Sequence, residues 1–286
     1  YEICACLVGS EMCIRDRYRM HRKKIKKTKI LIPFLIFLVI LSSVITFYLI
    51  KNTNDSSSRV YSHRGASGEE IEHTVAAYDL AILYGSKYIE QDLVTSRDNT
   101  LYVSHDLSAK RITGVDKLFV DMTDDEISDL RTEDNEKILS LQDVFNRYGN
   151  TVNYVIELKE NSNQTKLFED LVKKNNLEDN IVVQASDIKP LQDLSKSFPN
   201  MPKLLLVKNQ SELEKAVTYD IVDIVSAEKS MMTKENVKLV HGHKKLLNIW
   251  TINSTSEIKK AINLGIDNYF TNFTAKALAL ENKYRK

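Results

Sequence analysis

The chain contains little cysteine, proline and glycine. Among its 286 residues there are three cysteines, four prolines and eight glycines. The cysteines are Cys4, Cys6 and Cys13, so residues 14–286 contain none. This distribution excludes a disulfide framework, a zinc knuckle and a cysteine nucleophile from the main body of the chain. The low glycine and proline content also excludes a collagen-like or low-complexity protein.

Charge is absent from one long stretch and unevenly distributed elsewhere. Residues 1–29 carry nine Lys/Arg and three Asp/Glu, whereas residues 30–50 carry no charge. The first segment therefore has a net charge of +6 in a chain of total charge +1, which leaves −5 for residues 51–286. A mildly acidic body argues against a nucleic-acid-binding protein. The sequence also lacks the G-x-G-x-x-G and P-loop motifs that would favour nucleotide binding.

The uncharged run, residues 30–50, is 21 residues long. About 20 apolar residues span a bilayer as a helix. The preceding residues 20–29 carry six Lys/Arg, and such a basic flank stays on the cytoplasmic side. We therefore expect a single-pass transmembrane helix in the cell membrane, with a cytoplasmic amino terminus and an extracellular body. A cleaved signal peptide is the alternative, but no small-x-small cleavage site follows the run.

The remaining segments complete the expected organisation. Residues 1–19 have no hydrophobic periodicity, and we expect them to be a non-native extension with Met20 as the true start. Residues 51–58 are hydrophilic and are expected to form a short linker. Residues 59–286 are expected to fold as one domain.

Strand-like and helix-like stretches alternate through that domain. Helical patterns include residues 74–85, 165–176 and 255–265, the last with Thr255 as its expected N-cap and Gly265 as its expected stop. Residues 100–104 follow the second strand too closely for an intervening helix and are predicted to be a hairpin return. The other predicted strands are residues 59–62, 87–93, 151–158, 180–184, 203–207, 219–225, 247–252 and 267–271.

This alternation predicts the fold class. Near-continuous apolar strands separated by helices indicate a parallel sheet. Eight such units within residues 59–286 fit an α/β protein with a TIM (β/α)8 barrel and a small hairpin insertion. An open doubly wound sheet is the alternative.

Polar side chains collect where the predicted strands end. In TIM barrels that carboxyl-end rim carries the chemistry. The side chains concerned are His63, Arg64, Glu90, Asp92, His105, Glu157, Lys159, Gln184 and Trp250.

Two carboxylates of the second strand are expected to share a face. Glu90 and Asp92 point to the same side because side chains alternate along a strand. The helix-covered outer face suits Ile89 and Leu93, so the carboxylates face the barrel interior. Like charges at that separation repel, and a cation removes the penalty. With Glu157 they offer three oxygen ligands, which suit Ca²⁺ or Mg²⁺.

Two histidines and two cations complete the predicted site. His63 and His105 can take a proton from a nucleophile and give one to a leaving oxygen. Arg64 and Lys159, together with the metal, would hold a phosphate and offset the charge that develops in the transition state. The combination predicts metal-assisted cleavage of a phosphodiester.

The motifs "HRGASGEEIEHT", "EQDL", "SHD" and "ELK" resemble, in order and spacing, those of the glycerophosphodiester phosphodiesterases. That family consists of TIM barrels that cut glycerophosphodiesters to glycerol 3-phosphate and an alcohol with a divalent cation. The resemblance covers about residues 59–275 and includes the segment "WTIN" that begins at Trp250. The resemblance implies that His63 and His105 are the acid–base pair and that Glu90, Asp92 and Glu157 are the metal ligands. It implies that Arg64 and Lys159 bind the phosphate and that Glu72 and Trp250 support the site.

The chain departs from the family pattern in places. Ile71 stands where proline is usual, and Thr271-Asn272 replaces a Thr-Asp pair. His73 is expected to pack in its loop, while Gly65 and Gly68 are expected to let the backbone turn close to the substrate. A phospholipase C of the phosphatidylinositol type, a hydrolase of glycerol-phosphate polymers and an inert surface binding module are the alternative functions.

Overall fold

The computed structural model describes residues 56–159 and 162–285 of the chain. The predicted extension, basic flank and transmembrane helix, residues 1–50, lie outside the described residues, as does most of the predicted linker. Within the described part of the chain, none of the helices combines the length and the apolar character needed to cross a bilayer. The last residues of the predicted linker belong instead to a 3-10 turn, Ser56–Arg59, that leads into the first strand.

Eight parallel strands form a closed barrel, which confirms the predicted TIM-barrel architecture. The first strand pairs with both the second and the last, with Ser62 opposite Ile89 on one side and opposite Thr271 on the other. The strands are β1 (Val60–Ser62), β2 (Tyr88–Thr95), β3 (Leu101–Val103), β4 (Asn153–Leu158), β5 (Ile181–Ala185), β6 (Lys203–Val207), β7 (Ile224–Glu228), β8 (Leu246–Trp250) and β9 (Asn268–Thr271). Among them, β3 runs antiparallel to β2 and forms the predicted hairpin return.

Helices follow most of the barrel strands, as the alternating pattern predicts. They are α1 (Val75–Leu83), α2 (Lys110–Thr113), α3 (Asp124–Ser128), α4 (Leu141–Tyr148), α5 (Ser162–Asn175), α6 (Ile188–Ser197), α7 (Gln210–Ala216), α8 (Lys234–Gly242), α9 (Thr255–Leu264) and α10 (Thr274–Tyr284). The start of α9 differs from the prediction by one residue, because the hydroxyl of Ser254 rather than that of Thr255 accepts the Glu257 N–H. Gly265 ends this helix in the left-handed conformation, as predicted.

One strand prediction is wrong. Residues 219–225 were expected to form the sixth barrel strand, but the strand observed there is β7, Ile224–Glu228. The apolar pair at positions 221 and 222 lies in the preceding turn. The strand itself contains a buried polar residue, Ser226, whose hydroxyl lies 2.7 Å from the side-chain oxygen of Asn248 inside the barrel. This polar contact interrupts the apolar run that marks the other strands.

The barrel interior is plugged below the polar rim by one layer of apolar side chains. Val155 and Val182 belong to this layer, and each precedes a polar rim residue by two positions, Glu157 and Gln184 respectively. Alternation along a strand therefore points all four inward. The layer consists of Tyr61, Val155, Val182, Leu204, Ile224 and Phe270.

Two further apolar clusters pack outside this plug. Ile89 and Leu93 lie in the large cluster between the strands and the surrounding helices, as predicted from their alternation with Glu90 and Asp92. A separate insertion cluster lies under the segment between His105 and α4. It consists of Val94, Tyr102, Ala109, Phe119, Met122, Ile127, Leu130 and Ile138.

Candidate active site

A cavity of about 370 Å³ opens at the carboxyl-end rim of the barrel. Of the nine residues predicted for the site, seven line it, and the other two, Glu72 and Lys159, contact lining residues from the side. The full lining is His63, Arg64, Glu90, Asp92, His105, Glu157, Gln184, Ser186, Leu206, Lys208, Trp250, Thr251 and Phe270.

The loop after β1 turns sharply to place its polar residues. Arg64 has a left-handed backbone, with φ of 59°, and its N–H donates to a carboxylate oxygen of Glu90 at 2.8 Å. Gly65 follows with φ of 84°, and a Cβ there would lie 2.6 Å from the carbonyl carbon of Ala77 in α1. A Cβ on Gly68 would lie 2.6 Å from the ring of Phe273. Close packing against the backbone of Ala77 therefore requires Gly65, and Gly68 leaves room for the ring of Phe273. The expected approach of this backbone to the substrate stays a prediction.

The two carboxylates of β2 are buried together but have opposite electrostatic surroundings. Glu90 and Asp92 are each 1% exposed. Burial, followed by the charge of Asp92, raises the pKa of Glu90 well above its ordinary value. Burial also opposes ionisation of Asp92, but the hydrogen bond from His73 and the charge of Lys159 hold its pKa well below the ordinary value. Asp92 is therefore the anionic member of the pair.

Glu157 adds a third carboxyl group from β4. It is hydrogen-bonded to Asp92, which it faces across the β2–β4 pairing. Burial, then the charge of Asp92, raises the pKa of Glu157 to about 8. The site thus holds protons that a bound cation would displace.

The donor set fits a divalent cation. The Nε2 of Gln184 donates to Glu90 at 3.3 Å, while its Oε1 is buried and has no hydrogen-bond partner among the described residues. Three carboxyl groups and this free amide oxygen are the all-oxygen ligands that Ca²⁺ and Mg²⁺ take. The residues Glu90, Asp92 and Glu157 with Gln184 are therefore suited to hold such an ion.

His73 belongs to the same cluster but has a different part in it. Ligand atoms of His73, Glu90 and Asp92 lie within 4.8 Å of one another. Both ring nitrogens are engaged, however, Nε2 with Asp92 Oδ2 at 3.0 Å and Nδ1 with the hydroxyl of Tyr78 at 2.8 Å. His73 is buried, consistent with its expected packing in the loop, and it orients Asp92.

The first histidine of the site, His63, is fixed by an amide. Its Nδ1 lies 2.7 Å from Oδ1 of Asn272. Because an amide oxygen only accepts, Nδ1 carries the proton and Nε2 carries the lone pair. Burial, then the charge of Arg64, lowers the pKa of His63 to about 4. His63 is therefore a neutral imidazole with a free acceptor nitrogen at neutral pH.

The second histidine, His105, is fixed by a carboxylate. Its Nδ1 lies 2.7 Å from Oδ1 of Asp106, and its side chain is 43% exposed. Arg111 donates through Nε to the other oxygen of Asp106 at 2.5 Å and holds the pKa of that carboxyl below its ordinary value. Asp106 is therefore an anion that accepts the Nδ1 proton, which leaves Nε2 of His105 to exchange a proton with a ligand.

Both predicted phosphate-binding cations are held by carboxylates. Arg64 donates through Nη1 to both oxygens of Glu72 at 3.1 Å, and its Nε lies 3.1 Å from Asp92 Oδ2. The Nζ of Lys159 lies 2.9 Å from Asp92 Oδ1 and also donates to the backbone oxygen of His105 at 2.8 Å. Glu72 thus supports Arg64 from outside the cavity.

Several residues of the site were not predicted from the sequence. Asn272 was noted only as a departure from a family pattern, Asp106 was part of the motif "SHD" but was given no role, and no sequence signal indicated Arg111. Leu206, Trp250 and Phe270 are the apolar residues of the cavity lining, and the indole N–H of Trp250 donates to the backbone oxygen of Ser226 at 3.1 Å.

Known proteins resemble the chain in sequence. The model of the Glycerophosphoryl diester phosphodiesterase family matches residues 63–276. The glycerophosphodiester phosphodiesterase of Bacillus subtilis (strain 168) is 26% identical over 286 residues, which cover 87% of this chain and 96% of the relative. That of Bacillus altitudinis is 26% identical over 248 residues, which cover 80% of this chain and 100% of the relative.

Solved structures share the fold. A phosphodiesterase from Oleispira antarctica, in complex with the product sn-glycerol-3-phosphate, has a TM-score of 0.72 at 22% identity over 78% of this chain and 96% of that chain. The glycerophosphodiester phosphodiesterase of Agrobacterium tumefaciens str. C58 has a TM-score of 0.69 at 19% identity over 78% and 99%. Because the family model matches most of the chain, including both histidines and all three carboxylates of the cavity, the chain belongs to the Glycerophosphoryl diester phosphodiesterase family.

Proposed function

We propose that this phosphoric diester hydrolase cuts glycerophosphodiesters to glycerol 3-phosphate and an alcohol with His63 and His105 as its acid–base pair. The observation that carries the proposal is the arrangement of these two histidines with Glu90, Asp92 and Glu157 around one cavity. A neutral histidine on one side and a carboxylate-backed histidine on the other suit the two proton transfers of phosphodiester cleavage.

The carboxylates are assigned to the cation. Glu90, Asp92 and Glu157 would hold Mg²⁺ or Ca²⁺, with the free side-chain oxygen of Gln184 as a neutral donor. When bound, the ion would polarise the phosphoryl oxygens and offset their developing charge.

The histidines are assigned different proton transfers. His63 accepts a proton at Nε2 from the attacking hydroxyl, because its Nδ1 proton is committed to Asn272. That hydroxyl belongs either to water or to the neighbouring glycerol carbon of the substrate. His105 gives a proton from Nε2 to the leaving oxygen when it is in the imidazolium form, which the anionic Asp106 favours by accepting from its Nδ1, and becomes neutral in that step.

The cations are assigned to the phosphate. Arg64 lines the cavity, and its guanidinium is held by Glu72 from outside the cavity and by Asp92 within the lining. Lys159, which follows β4, also contacts Asp92 through its Nζ. Fixed donors of this kind stabilise charge without having to reorganise during the reaction.

The place of action is also a proposal. The uncharged run at residues 30–50 and its basic flank support a membrane-anchored enzyme whose barrel lies on the outer side of the cell membrane. Glycerophosphodiesters released outside the cell, or glycerol-phosphate polymers, would then be within its reach.

The test is a substrate panel assayed with the full chain in detergent. Glycerophosphocholine, glycerophosphoethanolamine, glycerophosphoglycerol and an intact phospholipid are each assayed with Mg²⁺, with Ca²⁺ and with chelator. We expect hydrolysis of at least one glycerophosphodiester, abolished by chelator. His63→Ala and His105→Ala should each lower kcat by about 100–10,000-fold. His243→Ala is the matched control and should keep full activity, because His243 is an exposed histidine at the carboxyl end of α8.

Two outcomes would contradict the proposal. Hydrolysis of none of the three glycerophosphodiesters would refute the substrate class. Full activity of either active-site variant, at the level of His243→Ala, would refute the acid–base assignment.

A further inference from the structure

Arg111 lies outside the catalytic cavity, in the lining of a neighbouring one of about 550 Å³. We infer that Arg111 is a positioning residue that joins the acid histidine His105 to the phosphate-binding Arg64 through one ionic network. The inference rests on the roles proposed above for His105 and Arg64.

The guanidinium of Arg111 contacts two carboxylates at once. Its Nε donates to Oδ2 of Asp106 at 2.5 Å. Its Nη2 and Nη1 donate to the two oxygens of Glu72 at 2.7 and 3.1 Å. The second contact is the bidentate geometry in which a guanidinium pairs with a carboxylate most strongly.

Each of these carboxylates holds one residue of the proposed machinery. Asp106 uses its other oxygen, Oδ1, for the ring of His105 at 2.7 Å. Glu72 uses both oxygens for Arg64 at 3.1 Å. Arg111 therefore lies at the centre of a chain of five side chains that connects two lining residues of the cavity, His105 and Arg64.

The network links two loops that are distant in sequence. Glu72 and Arg111 are separated by 39 residues, and they belong to the loop after β1 and to the insertion after β3. The backbone under Arg111 is fixed, because Ala109 N–H donates to the carbonyl of Lys117 at 3.0 Å and Ser108 pairs with Leu118. The side chain of Arg111 thus extends from a fixed backbone in the insertion and contacts Asp106 in the insertion and Glu72 in the loop after β1.

The electrostatics agree with this geometry. Burial raises the pKa of both Asp106 and Glu72, and the hydrogen bond from Arg111 is the largest of the effects that lower it. The lowering effects prevail in both, and the pKa of Glu72 falls to about 2. Both carboxyls are therefore anions that can orient their partners.

A lysine cannot reproduce the contacts. Its ammonium group is a point charge without the fork that reaches two carboxylates in fixed directions. Arg111→Lys should accordingly keep the charge and restore only part of the activity.

The experiment measures kcat and KM of the full chain on the glycerophosphodiester that it cleaves best, with the preferred divalent cation. We expect Arg111→Ala to lower kcat/KM by about 10–100-fold, which is the usual cost of removing a group that orients a residue in direct contact with the ligand. Most of the loss should fall on kcat, since Arg111 lies outside the cavity. Lys110→Ala is the matched control, because Lys110 is an exposed neighbour on α2 that pairs with Asp116 instead.

A second comparison separates positioning from a general structural effect. In a chain that already carries Glu72→Ala and Asp106→Ala, Arg111→Ala should cause no further loss, because its two partners are gone. An equal loss in that background would overturn the inference, and so would wild-type kcat in Arg111→Ala itself. Thermal melting of every variant checks folding.

The result is distinguishable from failure of the proposed function. If His105→Ala is fully active, the acid assignment fails whatever Arg111 does. If His105→Ala is inactive and Arg111→Ala matches Lys110→Ala, only the positioning role fails.

Discussion

The Nδ1 atom of His63 lies 2.7 Å from the side-chain oxygen of Asn272. The resemblance to glycerophosphodiester phosphodiesterases leads one to expect aspartate at position 272, so this chain presents an amide where a carboxylate is usual. A neutral partner fixes the tautomer of the imidazole but gives no charge to stabilise its protonated form. Burial and then the charge of Arg64 lower the pKa of His63 to about 4, and the hydrogen bond to Asn272 offsets only part of that decrease.

Asn272→Asp should therefore shift the acid limb of the pH–activity profile. A carboxylate beside Nδ1 favours the imidazolium and should raise the pKa of His63 by about 1–3 units. Since the proposed base is active only when neutral, the acid limb of kcat/KM should move to higher pH by that amount. The profile of the full chain measures this shift. Asn146→Asp adds the same charge on an exposed face of α4 and should leave the limb in place. An unmoved limb in Asn272→Asp would contradict the assignment of His63 as the base.

Metal binding should stabilise the protein more at higher pH. The pKa of Glu157 is about 8 in the folded chain and near its ordinary value of 4.5 when unfolded. Between these values the folded chain binds more protons, so stability of the metal-free protein falls as pH rises through this window. A cation that replaces the proton removes this loss.

The measurement is the rise in Tm on adding Mg²⁺ or Ca²⁺ to the chelated full chain at about pH 5.5 and about pH 8. We expect a larger rise at the higher pH. Glu157→Gln cannot titrate at this position and should reduce the pH dependence of the metal-dependent rise, while Glu90, whose pKa burial also raises, keeps part of it. The same rise at both pH values in the unmodified chain would argue against cation binding at this carboxyl group.

Lys203 should be important for stability and unimportant for catalysis. It is 2% exposed at the first position of β6, far along the strand from the rim, and its Nζ donates to the backbone oxygens of Phe198 and Met201 at 2.9 and 2.6 Å. Lys203→Met removes both bonds and takes this donor from the buried oxygen of Met201, while the oxygen of Phe198 keeps the Met201 N–H; this should cost about 1–3 kcal/mol of unfolding free energy with kcat unchanged. Urea unfolding measures the cost, and Lys238→Met on the exposed side of α8 is the control. Equal unfolding midpoints for the two variants would show that these bonds do not matter.

Gly65→Ala should damage both the fold and the site. Its Cβ would lie 2.6 Å from the backbone of Ala77, and its φ of 84° is strained for alanine. The loop that carries Arg64 must then move, so we expect a loss of about 1–3 kcal/mol in stability together with reduced kcat/KM. Gly85→Ala separates the two causes, because Gly85 has a φ of 95° with open space around its Cβ position. A Gly65→Ala variant no worse than Gly85→Ala would rule out the close packing as the reason for glycine.

Periodicity and strand-end polarity predicted the barrel and seven of the thirteen residues that line its cavity. Glu90 and Asp92 could be oriented because alternation is a local property, and the outer packing of Ile89 and Leu93 confirms that orientation. The strand at 219–225 was misplaced because a buried hydrogen bond between Ser226 and Asn248 replaces apolar packing there.

The residues that hold the site residues in place could not be predicted from local sequence patterns. Arg111 lies on a helix of four residues, too short for a periodic signal, and its partners come from two separate loops. The contacts of Glu72 with Arg64 and Arg111 are set by the conformation of the loops rather than by the spacing of these residues in the sequence. Asn272 could be recognised as unusual, but its contact with His63 depends on closure of the barrel between β1 and β9.

The insertion cluster has its own apolar interior, separate from the cluster that joins strands and helices. Segments that pack on themselves can be exchanged with little disturbance to the scaffold that holds them. Residues 115–138 supply most of this cluster, but Val94 of β2 and Tyr102 of β3 complete it, so the block can be exchanged only where these two side chains fit it. Chimeras that exchange this block between relatives with matching side chains at positions 94 and 102 should keep the recipient's stability.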